Sequence, residues 1–484
     1  MDRSIHFTHE FVFPVPENAA EMLHLPLAHV LFPIPWLIRL EGEGIGMVPS
    51  CLTTRHAFSS LPLSKKSCKY RGKTFPWKSS LTTARESARY EGKYLRNREI
   101  SLGVRAKQVS PFKVMEILER ARGHEAAGRD IVHMEIGEPD FPTPPAIVAA
   151  AQQHLAGGCP LGYTPAGGLP ALRQAISMDY GERYGKAPDP RRIFLTPGAS
   201  GALSLVLGLL VDAGDEVLLA DPGYPCYPNF ILLAGGIPRA LPVDSETGFN
   251  LTPSQIAASW MASTRGILLA SPSNPTGTVM PQTTFQQVIE TVEERAGYVI
   301  SDEIYHGLEY GERAVSALAF SDQAFVINSF SKYFGMTGWR LGWAVVPEWA
   351  VEAAERLSQN LFISAPTLSQ HAALASFSKE NRVELERRRL AFSERREVLL
   401  QGLTDLGFGL FARADGAFYV YADSSPFAAN SEVFARELLD QAGVALTPGT
   451  DFGIHGAQSH VRFAYTASIP RIEEALDRIR HFLR

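Results

Sequence analysis

The 484-residue chain has four cysteines, Cys51, Cys68, Cys159 and Cys226, scattered and without a Cys-x-x-Cys pair. That scarcity excludes a disulfide-built scaffold, offers no thiolate set for zinc, and fits a reducing compartment. Long apolar runs are also missing. The longest near the N-terminus, Ala28 to Ile38, is too short to cross a bilayer and contains Pro33 and Pro35. No basic segment stands close before it and no Ala-x-Ala site comes after it. The expectation is a cytoplasmic protein with neither a signal peptide nor a membrane span. Charge of one sign is not in surplus: Lys and Arg number 46, Asp and Glu 51, giving a net charge of −5. Bulk electrostatics therefore does not favour nucleic acid as a partner.

Apolar residues make up 45% of the chain and charged residues 20%, an ordinary soluble composition with enough length for two or three domains. The first hundred residues stand apart. Pro14, Pro16, Pro26, Pro33 and Pro35 interrupt any helical or strand period there. Arg55 to Lys107 is then strongly basic, opposed only by Glu86, Glu91 and Glu99. A disordered extension, an accessory segment packed on the main body, and translated upstream sequence are the competing readings. Gly42-Glu43-Gly44-Ile45-Gly46 has the wrong spacing for a dinucleotide loop.

From about Ser110 the texture becomes that of an α/β protein. Lys113 to Arg122 is amphipathic and helical, and Ile131 to Ile136 reads as a strand. Apolar runs then alternate with helical segments: Arg192–Leu195, Glu216–Ala220, Gly266–Ala270, Tyr298–Ile300, Ala324–Ile327 and Gly342–Val346. Such runs point to a mainly parallel sheet buried on both faces by helices. A long helical stretch from Glu348 towards Arg396 leads out of that layer. Strand candidates Ala417–Tyr421 and His460–Ala464 belong to a smaller α+β domain.

The turns at the strand ends are more informative than the strands. Thr196-Pro197-Gly198-Ala199-Ser200-Gly201 opens a helix, and Asp221-Pro222-Gly223-Tyr224 succeeds the next strand. Ser271-Pro272-Ser273-Asn274, Ser301-Asp302-Glu303-Ile304-Tyr305 and Asn328-Ser329-Phe330-Ser331-Lys332 end three more. Open α/β sheets bind ligands beyond the carboxyl ends of their strands, so these five turns describe a site. Free N–H groups at the helix opening favour a phosphate, although no Gly-Lys-Ser/Thr is present to make a nucleotide P-loop. Ser329, Ser331 and Arg340 can add donors to the same dianion. A lysine closing a buried strand is costly unless it is partnered or consumed in a bond. Phosphate, lysine and acid together suit pyridoxal 5′-phosphate: the aldehyde on the lysine, the ring nitrogen held protonated by the acid.

Ser329-Phe330-Ser331-Lys332 through Gly338-Trp339-Arg340-Leu341-Gly342 resembles the cofactor-lysine segment of class I/II aminotransferases, of the pyridoxal-phosphate fold type I. Asn274-Pro275-Thr276-Gly277 and Ser301–Tyr305 resemble the same family. Tyr163, Gly167, Leu172-Arg173, Pro448-Gly449-Thr450 and Val461-Arg462-Phe463 occur in its order, so the resemblance runs from Arg105 to Arg484. The resemblance implies a large domain with a seven-stranded, mainly parallel sheet sandwiched by helices, and a smaller α+β domain. The corresponding divisions are an extension over 1–104, a segment 105–145 joining the small domain, a large cofactor-binding domain 146–380, and a small domain 381–484.

It also implies roles. Lys332 forms the Schiff base and then shuttles the proton. Asp302 pairs with the ring nitrogen, Asn274 and Tyr305 bond the phenolic oxygen, and Tyr224 stacks on the ring. Ala199, Ser200, Ser329, Ser331 and Arg340 hold the phosphate. Arg462 grips the substrate α-carboxylate, with Asn274 and the Gly137 backbone beside it. Tyr163 reaches the partner's phosphate across a homodimer interface. The expected activity moves an amino group from an L-amino acid to a 2-oxo acid in a ping-pong cycle. Two rivals stay open on sequence: a β-eliminating C–S lyase or related enzyme on the same scaffold, and an aminotransferase-like transcriptional regulator. The regulator lacks a helix-turn-helix pattern before residue 105. The substrate side chain is not legible.

Overall fold

The computed structural model describes residues 102–158 and 160–484, together with the backbone of four short strands before them. The chain divides into two units, Met1–Glu99 and Ile100–Arg484. In the first unit Trp36–Glu41 pairs antiparallel with Gly44–Pro49, and Cys68–Tyr70 with Lys73–Phe75. Apart from these strands, the expectations for the 1–104 extension fall outside the described residues.

The second unit is built on a seven-stranded sheet. Its strands in chain order are β1 (Ile193–Thr196), β2 (Glu216–Asp221), β3 (Ile237–Pro242), β4 (Thr264–Ala270), β5 (Tyr298–Asp302), β6 (Phe325–Ser329) and β7 (Gly342–Val345). Their spatial order is β1-β7-β6-β5-β4-β2-β3. Only β7 runs antiparallel to its neighbours. β1 and β6 are buried at every position and β4 and β5 at most, as a sheet covered on both faces requires. One face packs Leu195, Leu218, Ile267, Val299 and Val326; the opposite face packs Phe194, Leu219, Leu268, Ile300 and Ile327. Each such fully buried side chain contributes roughly 1.5–3 kcal/mol. β3 was not legible in the sequence: Ile-Pro-Arg-Ala-Leu-Pro is mostly polar-facing and carries two prolines. Both fit because it is the edge strand.

A second core gathers Val132 and Met134 with β8 (Tyr419–Asp423), β9 (Thr447–Pro448) and β10 (His460–Ala464). β10 is central, antiparallel to both neighbours, and pairs Arg462 with Tyr421 on one side and Thr447 on the other. The expected start at Ala417 fails because Ala417 takes φ +57°, which ends extended backbone. The Ile131–Ile136 strand shortens to Val132–His133, since only Val444–Ala445 lies alongside.

Three helices position the site. α1 (Lys113–Ala126) is longer than its apolar period implied, and its first N–H groups, from Lys113 and Val114, donate to the Asp451 carboxylate at 2.8 and 3.3 Å. α2 (Gly198–Leu210) comes directly after β1. α3 (Lys379–Leu406) is the last piece of the long helical stretch, which breaks around Pro366 into separate helices. Its buried Arg395 donates to Asp140 at 2.7 and 3.1 Å, and Arg388 to the Pro142 carbonyl at 2.7 Å. These bonds fix the segment that begins at Gly137.

Candidate active site

The carboxyl ends of β1, β2, β4, β5 and β6 open into a cavity of about 430 Å³. Ala199, Ser200, Tyr224, Asn274, Asp302 and Tyr305 line it from successive strand ends. Ser331, Lys332 and Arg340 line it after β6, and Gly137 and Arg462 from the second core. Eleven positions separated by up to 325 residues thus share one space. Two expected residues do not line it. Ser329 is buried behind the wall, where its hydroxyl donates to Ser331 Oγ at 2.9 Å and the Leu341 carbonyl at 3.1 Å. Tyr163 is 82% exposed on the surface of the chain.

At one end of the cavity α2 presents its first N–H groups, the positive end of a 13-residue helix. Arg340 is held over it in the left-handed conformation, φ +52°, with Nη1 donating to the Thr337 carbonyl at 3.0 Å. The guanidinium lies so close to Gly198 that a Cβ there would stand 2.5 Å from Nη2. Gly198 is also at φ +71°, so glycine is required twice over. A helix terminus and an arginine converge here, with the Ser331 and Thr337 side chains adjoining: a cradle for a dianion.

In the middle lies Asp302, 3% exposed and without an ion-pair partner within 4 Å among the described residues. Burial pushes its carboxyl up to about 6. The ionised form is held by Tyr227, whose hydroxyl donates to Oδ2 at 2.8 Å, and by the Ile304 N–H at 3.1 Å. The neighbouring acid, Glu303, does not line the cavity; its Oε1 accepts from Ser301, Ser316 and the Ala317 N–H. Burial raises Glu303 to about 8. Of these two neighbours, Asp302 and not Glu303 faces the cavity, as strand alternation requires.

Lys332 Nζ donates to the Gly137 carbonyl at 2.6 Å. Desolvation first, then the nearby Arg462 and Arg340 charges, lowers its amine to about 8. Opposite, Arg462 is 5% exposed, clamped between the Tyr419 and Phe452 rings at 4.3 and 4.8 Å. Nη1 donates to Asn274 Oδ1 at 2.8 Å and Nη2 to the Glu135 carbonyl and Thr447. Its Nε has no partner among the described residues. A buried guanidinium with a free donor and no carboxylate is a receptor for one.

Sequence reasoning missed several lining residues. Tyr227 sits three residues past Tyr224, with nothing local to link it to Asp302. Tyr419 bonds the Tyr305 hydroxyl at 2.9 Å and bars any side chain at Gly137, where a Cβ would stand 1.8 Å from its Oη. Phe112, Met115, Leu118 and Arg122, from α1 and the residue before it, form a further wall. Their helical spacing is visible in sequence, but not what they face.

Two predictions arise here. Tyr227→Phe removes a bond that favours ionised Asp302, so the acid limb of the kcat/KM profile is expected about one pH unit higher. A pH–rate series on both enzymes checks this; an unmoved limb would contradict it. Gly137→Ala is expected to cost about 1–3 kcal/mol, because buried Tyr419 cannot swing away. Thermal melts read the loss, and kcat/KM is expected to fall at least about tenfold as the carbonyl leaves Lys332.

Anion cradle, unpaired buried carboxylate and depressed lysine together fit an aldehyde that carries a phosphate and a basic ring nitrogen. The arrangement defines an enzyme that works through a lysine-bound pyridoxal phosphate. Residues 129–479 match the family model described as aminotransferase class I and II. The chain is 40% identical over 379 residues to the valine–pyruvate aminotransferase of Mycobacterium tuberculosis, covering 78% of this chain and 97% of that protein. It is 39% identical over 375 residues to the (5-formylfuran-3-yl)methyl phosphate transaminase of Methanocaldococcus jannaschii, covering 77% and 96%. Among solved structures, the aspartate aminotransferase of Thermus thermophilus with maleate superposes with a TM-score of 0.75 at 33% identity, covering 79% and 100%. The chain belongs to the class I and II aminotransferase family. It is a transaminase of fold type I that uses pyridoxal 5′-phosphate and acts on an amino acid and a 2-oxo acid. Among the described residues, no helix is long and apolar enough to cross a membrane.

Proposed function

We propose that the enzyme moves the amino group of an L-amino acid to a 2-oxo acid at the cavity centred on Lys332, Asp302 and Arg462. The observation that carries this reading is their shared space: a depressed amine, a buried unpaired carboxylate and a guanidinium with a free donor. When bound, pyridoxal phosphate supplies an aldehyde carbon that exchanges amines and a protonated ring that withdraws electrons from the breaking Cα–H bond.

The chain's residues divide the remaining work. The N–H groups of Ala199 and Ser200, with Ser331 and Arg340, hold the phosphate; Ser329 orients Ser331. Tyr224 stacks on the ring, Asp302 keeps its nitrogen protonated, and Asn274 and Tyr305 bond its phenolic oxygen. Arg462 fixes the α-carboxylate of each substrate in turn, turning Cα towards Lys332. Lys332 Nζ, with its basicity lowered to about 8, both takes and returns the Cα proton near neutral pH. The Gly137 carbonyl holds that amine at its station.

The reading includes a cytoplasmic homodimer in which Tyr163, exposed on one protomer, reaches the partner's phosphate cradle. The test of function is nitrogen tracing. With a ¹⁵N-labelled donor and an unlabelled 2-oxo acid, the label is expected in the new amino acid. Label recovered as free ammonia, with the donor carbon skeleton eliminated, would replace transfer by a lyase reaction.

A further inference from the structure

The turn after β2 delivers Tyr224 to the cavity, but the residue that opens it, Asp221, has no task yet. Asp221 is 5% exposed. Its carboxylate accepts from two successive backbone N–H groups, Ile454 at 3.1 and 3.2 Å and His455 at 3.3 Å to both oxygens. Among the described residues, no lysine, arginine or histidine side chain forms an ion pair with it. Burial pushes its carboxyl up, and the two N–H groups offset part of that rise. A buried carboxylate without a cation weakens a fold, so its presence calls for a reason.

The segment it holds has little else to fix it. Gly453 has no side chain, Ile454 is 90% exposed, and His455 and Gly456 are exposed as well. Gly453 comes so near that a Cβ there would stand 1.7 Å from Asp221 Oδ1. From the same turn, the Gly223 N–H donates to the Phe452 carbonyl at 2.8 Å. The turn after β2 therefore grips the segment at residues 452, 454 and 455. What the grip places is the buried Phe452 ring, which lies on the Arg462 guanidinium at 4.8 Å. Arg462 belongs to β10 in the second core, whereas Asp221 ends a strand of the seven-stranded sheet. The contact thus sets the guanidinium against the sheet whose strand ends form the rest of the site.

We propose that Asp221 is a positioning residue for substrate binding. Its carboxylate pins residues 452–455, the pinned segment keeps Phe452 on Arg462, and Arg462 is thereby oriented to receive the α-carboxylate of both substrates. This inference rests on the reading of Arg462 as the α-carboxylate receptor.

The experiment compares the reconstituted holoenzyme of the full chain with Asp221→Asn. Asparagine offers one acceptor oxygen, and its NH₂ meets an N–H donor. KM for the donor and KM for the acceptor are expected to rise together roughly 5- to 20-fold. Cofactor content is expected to hold and kcat to stay within about threefold, because the carboxylate is gripped in ground and transition states alike. Gly453→Ala drives a Cβ into the Asp221 carboxylate and is expected to give the same signature, which decides the matter if Asp221→Asn folds poorly. The double variant Asp221→Asn/Phe452→Leu is expected to match Phe452→Leu alone, since both substitutions act on one contact. A variant of Asp221 or Gly453 that holds cofactor and keeps both wild-type KM values overturns the proposal. So does a fall in kcat alone, or a double variant whose KM increase is the product of the two single increases. Arg462→Lys separates the two readings. If it leaves both KM values unchanged, the receptor reading fails and this inference with it. If it raises them while Asp221→Asn does not, this inference alone fails.

Discussion

Lys332→Ala enzyme is expected to bind pyridoxal phosphate in its cradle yet turn over at least about 10⁴-fold more slowly than wild type. The phosphate contacts come from α2, Ser331 and Arg340, none of which the substitution touches. What is lost is the one amine that, among the described residues, lines the cavity and can carry a proton. Lys332→Arg separates charge from chemistry. Arginine keeps the positive charge and the reach, but its guanidinium does not deprotonate in proteins. It is expected to be as slow as alanine. Steady-state turnover, with cofactor content checked by absorbance, reads both variants. An arginine variant with near-normal turnover would reduce Lys332 to an electrostatic role.

Asp302→Asn is expected to lower kcat by about 10²- to 10³-fold while leaving the fold intact. Asparagine has the same shape, and its oxygen can accept from the Ile304 N–H while its amide donates to the Tyr227 hydroxyl, but it carries no charge to hold a ring nitrogen protonated. The same substitution carries a stability signature of opposite sign. Burial raises this carboxyl from 3.8 to about 6, a cost of about 3 kcal/mol to the folded apoenzyme when Asp302 is ionised. The cost is fully present above pH 6 and fades as pH falls through 6 towards 4. Cofactor-free Asp302→Asn is therefore expected to melt higher than cofactor-free wild type at pH 8, with the gap closing near pH 4. Melting curves of the two apoproteins across pH read this. A destabilised variant at pH 8 would mean that Asp302 is already neutralised by a partner. A buried charge that weakens the empty protein and serves the loaded one is a site built for its cofactor.

Much of this arrangement was legible in sequence because it lies at strand ends. Buried parallel strands read as apolar runs, and the polar residues just past them have only one place to gather. Asn274, Asp302 and Lys332 could be grouped on that rule alone. The edge strand β3 escaped it, since an exposed strand with two prolines has no apolar run to announce it. Tyr227 escaped because a tyrosine in a helix start has many ordinary reasons to be there. Its link to Asp302 is a contact across 75 residues. The α1 face was visible as a periodic helix, but periodicity shows that residues share a face without showing what the face meets. The substrate side chain therefore stayed unread.

The role of Lys332 in amino transfer is tested most directly by borohydride reduction of the holoenzyme, with and without an amino-acid donor, and then peptide mapping. Without donor, the cofactor is expected to be fixed to the peptide containing Lys332. After donor is added in the absence of an oxo acid, that adduct is expected to disappear, with one equivalent of oxo acid released per site and no ammonia. An adduct on another lysine, or one that persists while ammonia accumulates, would contradict the account.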